Sequence, residues 1–192
     1  MDIKDKENNN ILHVLSIKML KNLLAWKTND TKQLTQKIKL FYKNEFKKHF
    51  VYYTKNNQEF LYDITISEYS LESEPNSVTK NNLFLVLESE LGGSGASSSK
   101  RLLRNVIYDF QKLLFCTSEN RVLIAAYSEQ EPHIYINKLF KFYKYSPNKN
   151  PVLVILIHGY HNRRKNSRQL KIEIKKETMH SYLFENKKLT KL

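Results

Sequence analysis

Two periodicities of apolar residues alternate along the chain, one near 3.6 residues and one near two. Ile11, Leu12, Leu15, Met19, Leu20, Leu23 and Leu24 predict a first helix from about Asn9 to Lys27, behind a polar stretch, residues 1–10, expected to be disordered. Asp30 or Thr31 can cap a second helix whose Leu34, Ile38, Phe41, Phe46 and Phe50 face inward among many lysines. Gln58 to Ser67 alternates and is rich in Phe, Tyr, Ile and Thr, so it reads as a strand. A Ser, Glu, Pro and Asn loop follows from Tyr69 to Asn82, and Leu83 to Leu91 reads as the next strand.

Glycines and serines from Gly92 to Ser99 predict a loop, and a third helix is expected from about Ser99 to Cys116. Arg121 to Tyr127 predicts a strand, Tyr135 to Tyr145 a helix, and Pro151 to His158 a strand apolar enough to lie centrally in a sheet. Gln169 to Lys175 alternates as an edge strand. This order predicts an α/β fold: a central mixed β-sheet flanked by helices, with a helical N-terminal region. The 192 residues fit a single domain over 11–192, with a core at about 40–127 and a basic C-terminal part at 158–192.

Charge changes this picture modestly. The chain carries a formal net charge of +13, mostly from lysine, which suggests a polyanionic partner. From His161 to Leu192 ten Lys or Arg stand against three Asp or Glu, so +7 of that charge falls in the last sixth of the chain. Arg163, Arg164, Lys165 and Arg168 in that segment are the candidate phosphate contacts, and a solvated tail is the competing reading. A single cysteine excludes an intrachain disulfide, no secretory signal opens the chain, and no apolar run is long enough to span a bilayer. A cytoplasmic protein without a membrane association is expected.

The chemistry concentrates at the end of the second strand. In Leu83-Phe84-Leu85-Val86-Leu87-Glu88-Ser89-Glu90, alternation sets Glu88 and Glu90 on one face. Burying two carboxylates costs several kcal/mol without compensation, and a divalent cation is an economical compensator. The alternative is that the strand reaches solvent by Glu88. Glu72-Ser73-Glu74 repeats the tripeptide in a polar loop without a preceding apolar strand and is assigned no role. Asp63 interrupts an otherwise half-buried pattern, and an adjacent strand would set it beside Glu88. Lys112, on the following helix, is within reach of the carboxylates; it also reads as a surface lysine paired with Asp109.

Asp63, a strand ending Glu88-Ser89-Glu90, a helix with Asp109-Phe110-Gln111-Lys112-Leu113-Leu114 and a further strand Arg121-Val122-Leu123-Ile124 together resemble the PD-(D/E)xK restriction-endonuclease-like superfamily over roughly Leu40 to Tyr127. The resemblance implies a restriction-endonuclease-like core and a metal-dependent endonuclease that hydrolyses DNA phosphodiester bonds. Asp63 and Glu88 would hold magnesium, or manganese in its place, with Glu45 of the preceding helix as a further ligand. Glu90 would orient or deprotonate water. It stands where the family usually has lysine, no proline precedes Asp63, and Lys112 would be the displaced lysine. A type II restriction role would favour a homodimer on palindromic DNA. The competing function is a non-catalytic basic nucleic-acid-binding protein with structural carboxylates.

Two other signals lead elsewhere. Gly93-Ser94-Gly95 lacks the lysine and serine or threonine of a phosphate loop. His158-Gly159-Tyr160-His161 has no nucleophile elbow to accompany it and reads as a strand end near a phosphate surface. The aromatic, basic stretch Phe140 to Tyr145 is suited to stacking unpaired bases, although helical spacing assigns part of it to the core.

Overall fold

The computed structural model describes residues 3–53, 62–67, 83–92, 98–128, 131–161 and 170–192. Helices α1 (Ile3–Trp26) and α2 (Thr31–Glu45) precede strands β1 (Phe50–Tyr53), β2 (Ile64–Ser67) and β3 (Leu83–Glu90). Then come α3 (Ser99–Phe115), β4 (Asn120–Tyr127), α4 (Pro132–Tyr145) and β5 (Val152–His161). The chain closes with β6 (Leu170–Ile172), β7 (Met179–Glu185) and β8 (Lys188–Lys191). The α/β class with a mixed sheet and helical N-terminal region is the one the apolar patterning predicts.

The sheet runs β1-β2-β3-β4-β5-β7-β8, with β6 pairing the far end of β5. β3, β4 and β5 are parallel neighbours, and all the other pairs are antiparallel. Parallel strands need crossovers, and here these are α3 and α4, which pack on one another. Burial on both faces explains the continuous apolar runs: every residue of β4 is buried, as is β5 from Val152 to Ile157. Phe110 of α3 and Phe140 of α4 meet Phe184 of β7 at ring separations of 5.8 and 5.6 Å, so both helices cover one face. α1 covers the other, where Ser16 Oγ lies 2.6 Å from Ser181 Oγ.

Local signals begin the helices. Asp30 accepts from the Gln33 amide at 2.9 Å, Ser98 accepts from the Arg101 amide at 3.3 Å, and Pro132 opens α4. No described helix is long and apolar enough to cross a membrane.

The structure departs from the patterning in four places. Helical backbone begins at Ile3, so the polar segment expected to be disordered extends α1, having no proline or glycine to stop it. Phe50 does not face the core from α2, which ends at Glu45; it starts β1 at an edge, 47% exposed. Asp63 sits one residue before β2 rather than inside a strand, and residues 54–61 lie outside the described part. The end of the basic C-terminal segment is a hairpin, with Ser181, Tyr182 and Phe184 of β7 buried against β5. Its lysines Lys187, Lys188 and Lys191 occupy the turn and the outer strand, and Asn186 and Lys187 take φ of 48° and 59°, the conformation of a two-residue hairpin turn.

At the N-terminal end of the parallel strands, Arg121 is fully buried without a carboxylate partner among the described residues. Its guanidinium donates to Leu113 O at 3.2 Å, to Pro151 O at 3.5 Å and to Asn150 O. It thus ties the last turn of α3 to the start of β5, and its positive charge complements the carbonyl end of that helix. Burial lowers its pKa to about 10, so it stays charged at neutral pH. Arg121→Met would leave these carbonyls without a donor; urea unfolding is expected to show a loss of about 3 kcal/mol.

Candidate functional site

At the opposite end of the same strands, Glu88 and Glu90 share the face of β3 that α3 covers, beside Leu123 and Ala125 of β4. Glu88 is 4% exposed. The Lys112 ammonium, from the last turn of α3, approaches its Oε1 at 2.6 Å. Asp109, three residues earlier, holds the same ammonium at 3.2 Å, and Lys112 lies 5.8 Å from the centre of the Tyr108 ring. Glu90 accepts from the Gly92 amide at 2.8 Å and from the Asn105 side chain.

Asp63 reaches this cluster from β2. Ile64 pairs with Leu87, so Asp63 falls in register with Glu88, but its side chain turns to the strand edge. There its Oδ2 accepts from the amide and the hydroxyl of Ser89, both at 2.8 Å, extending the ladder one position before β2 begins. Its Oδ1 stands 3.6 Å from Lys39 of α2. The charge of Asp63 is felt by both glutamates.

The electrostatics are set by burial first. Removal from water pushes the Glu88 carboxyl up to about 8, with the Asp109 and Asp63 charges adding to the rise, while the Lys112 contact opposes it. Burial raises Glu90 as well, opposed by its bonds from Gly92 and Asn105 and aided by Asp109 and Asp63. Lys112 is less deeply buried; the two acids outweigh its desolvation and hold it firmly protonated.

The structure thus brings Asp63, Glu88, Glu90 and Lys112 into one electrostatic cluster. Glu45 is held by Lys18 of α1 at 2.5 Å and is not among the groups that perturb Glu88 or Glu90. Arg163, Arg164, Lys165 and Arg168 lie outside the described residues. Hard carboxylate oxygens are the donors a magnesium ion prefers. Even so, among the described residues no three Asp, Glu, His or Cys side chains are gathered closely enough to ligate one, and Lys112 supplies the cation beside Glu88.

The sequence reading did not find Ser89 or Lys39, because neither departs from its local pattern. It also missed a second polar group at this end of the sheet. His158 Nδ1 lies 2.9 Å from Glu173, which Lys175 approaches at 2.6 Å, and the Tyr127 hydroxyl is 3.2 Å from His180 Nε2. The Lys175 ammonium, and then His158, hold the Glu173 carboxyl below the usual range.

No protein-family model, curated protein or solved structure matches the chain.

A glutamate with a raised folded-state pKa favours the protonated form, so its burial opposes folding only where it would ionise in the unfolded chain. That penalty is absent well below the ordinary value of about 4.3 and grows until the pH passes about 8. Without divalent cations, the melting temperature of Glu88→Gln relative to the parent is therefore expected to rise between pH 5 and 8. A constant difference would show that Glu88 ionises normally.

Proposed function

We propose that this chain is a metal-dependent nuclease that hydrolyses DNA phosphodiester bonds, with its centre at the C-terminal end of β3. One observation carries the reading: the Lys112 ammonium lies 2.6 Å from the buried Glu88 carboxylate, although it is contributed by the following helix rather than by the strand. That is where the superfamily resemblance requires a displaced lysine. The elements bearing Asp63, Glu88-Ser89-Glu90 and Lys112 also follow one another in the required order.

In this reading Asp63 and Glu88 would hold a magnesium or manganese ion, which would supply a Lewis acid and a more acidic water. Asp63 Oδ2 is committed to Ser89, so Oδ1 is its free donor once Lys39 gives way. Lys112, now beside Glu88, would be the ammonium that meets the scissile phosphate. The raised pKa of Glu90 makes it a better base toward water than a solvated glutamate, and its bonds from Gly92 and Asn105 fix its orientation. A restriction role on palindromic DNA, which would call for a homodimer, is a further step within the same proposal.

The second reading is a non-catalytic nucleic-acid-binding protein. It is favoured by the same contact taken differently: Lys112 already offsets part of the cost of burying Glu88 without a metal.

Incubation of supercoiled plasmid with the purified protein separates the two. Nicking in magnesium that EDTA abolishes is expected, with Glu88→Ala inactive yet still DNA-binding, and with Lys112→Ala slower by about a hundredfold. Absence of metal-dependent nicking, or a Glu88→Ala variant cutting at the parental rate, would overturn the nuclease reading.

A further inference from the structure

Because α3 and α4 lie side by side over the parallel strands, a groove of about 750 Å³ opens between them, floored by Ile107, Leu114 and Pro147. Large aromatic rings stand out from it into solvent. Phe115 is 83% exposed, Tyr145 75% and Phe142 40%. Lys138 and Lys141 of α4 line the same groove. A second concavity of about 520 Å³ shares Ile107 with the first and is lined by Lys100, Arg101 and Arg104. None of the residues lining either concavity is acidic.

This surface is continuous with the carboxylate cluster. Tyr108, 64% exposed, stands one helical turn from both Arg104 and Lys112, and its ring lies 5.8 Å from the Lys112 ammonium. From Lys100 to Phe115 the helix spans about 22 Å, room for roughly four nucleotides, the smallest site size usual for single-strand binders.

We propose that this groove is the path of an unpaired nucleic-acid strand running past Tyr108 to the Glu88–Lys112 centre. The substrate class is thereby single-stranded DNA, or duplex DNA with an unpaired segment beside the cut. The direction of the path rests on the nuclease reading; the binding does not. The chemistry selects this occupant. Exposed rings suit base stacking, and the basic side chains along the α4 side of the groove and in the adjoining α3 concavity suit a phosphate backbone. A second copy of this chain would bring its own +13 charge against the lysines and arginines that line the two concavities. An acidic peptide matches the charge, but it offers no bases to stack on rings as exposed as Phe115 and Tyr145.

The test is fluorescence anisotropy in EDTA, with a fluorescein-labelled thymidine 12-mer and a labelled DNA hairpin without unpaired ends. The parent is expected to prefer the single strand. Phe115→Ala and Tyr145→Ala, both exposed and so not expected to disturb folding, should each weaken that binding by about tenfold and leave hairpin binding little changed. Lys138→Glu with Lys141→Glu should weaken it further and flatten its salt dependence. Single-strand affinity unchanged in the aromatic variants, or equal losses on both probes, would overturn the proposal. So would poly-glutamate binding in place of the oligonucleotide, or a concentration-dependent dimer that Phe115→Ala dissolves. Aromatic-dependent binding without magnesium-dependent cleavage of either the plasmid or the 12-mer would keep the strand path and remove the nuclease reading. Nicking with aromatic-independent binding would do the reverse.

Discussion

The parallel pairing of β3, β4 and β5 is the constraint on which the remaining architecture depends. Parallel neighbours cannot be joined by a hairpin, so the chain must cross over twice, and a constant crossover hand carries both helices to the same face. One consequence is chemical: α3 returns over the strand it has just left and delivers Lys112 to Glu88. The other is topographic, since α3 and α4 become neighbours and leave the aromatic groove between them. Both features of functional interest therefore arise from one decision about strand direction.

Direction also separates the two ends of the sheet by role. At the N-terminal end the buried polar groups bond to neutral partners, although Asn120 Oδ1 has none among the described residues. Arg121 is met by carbonyls, and Ser118, Asn120 and Asn150 donate to backbone oxygens of the strand starts and their loops. That end consolidates the fold. At the C-terminal end acids crowd together, Glu88 remains costly to ionise in spite of Lys112, and Tyr127, His158 and His180 add further titratable groups on the same face. Open α/β sheets place ligand chemistry at the carboxyl ends of their parallel strands, and the electrostatic tension here lies at that end.

The sequence was most legible where one physical effect dominated. The runs Leu85–Leu87, Val122–Tyr127 and Val152–Ile157 are buried on both faces, and such burial writes itself as unbroken apolar residues. β7 carries no such mark, because Ser181 is one of its buried positions and the lysines around its turn dominate the local charge. Glu88 and Lys112 were legible together because a strand and the helix that follows it must pack on each other. The bonds from Ser89 to Asp63, and the approach of Lys39 to that carboxylate, follow from where β2 begins, and nothing nearby in the chain announces that.

The amino-acid order by itself determined the long helices, the central strands and the shared face of Glu88 and Glu90, and it made Lys112 a candidate partner for those carboxylates. All of these depend on periodicity and on contacts between consecutive elements. Only the tertiary structure decided that Lys18 takes Glu45, that Asp63 spends one oxygen on Ser89, and that the C-terminal segment closes the sheet. It likewise decided which rings of Phe140 to Tyr145 are spent on the core and which are left in solvent: Tyr143 is buried, whereas Phe142 and Tyr145 are exposed. The physical reason is the same in each case. Contacts between segments distant in sequence are chosen by the sheet order and the packing of its two faces, and neither is encoded in any one stretch of the chain.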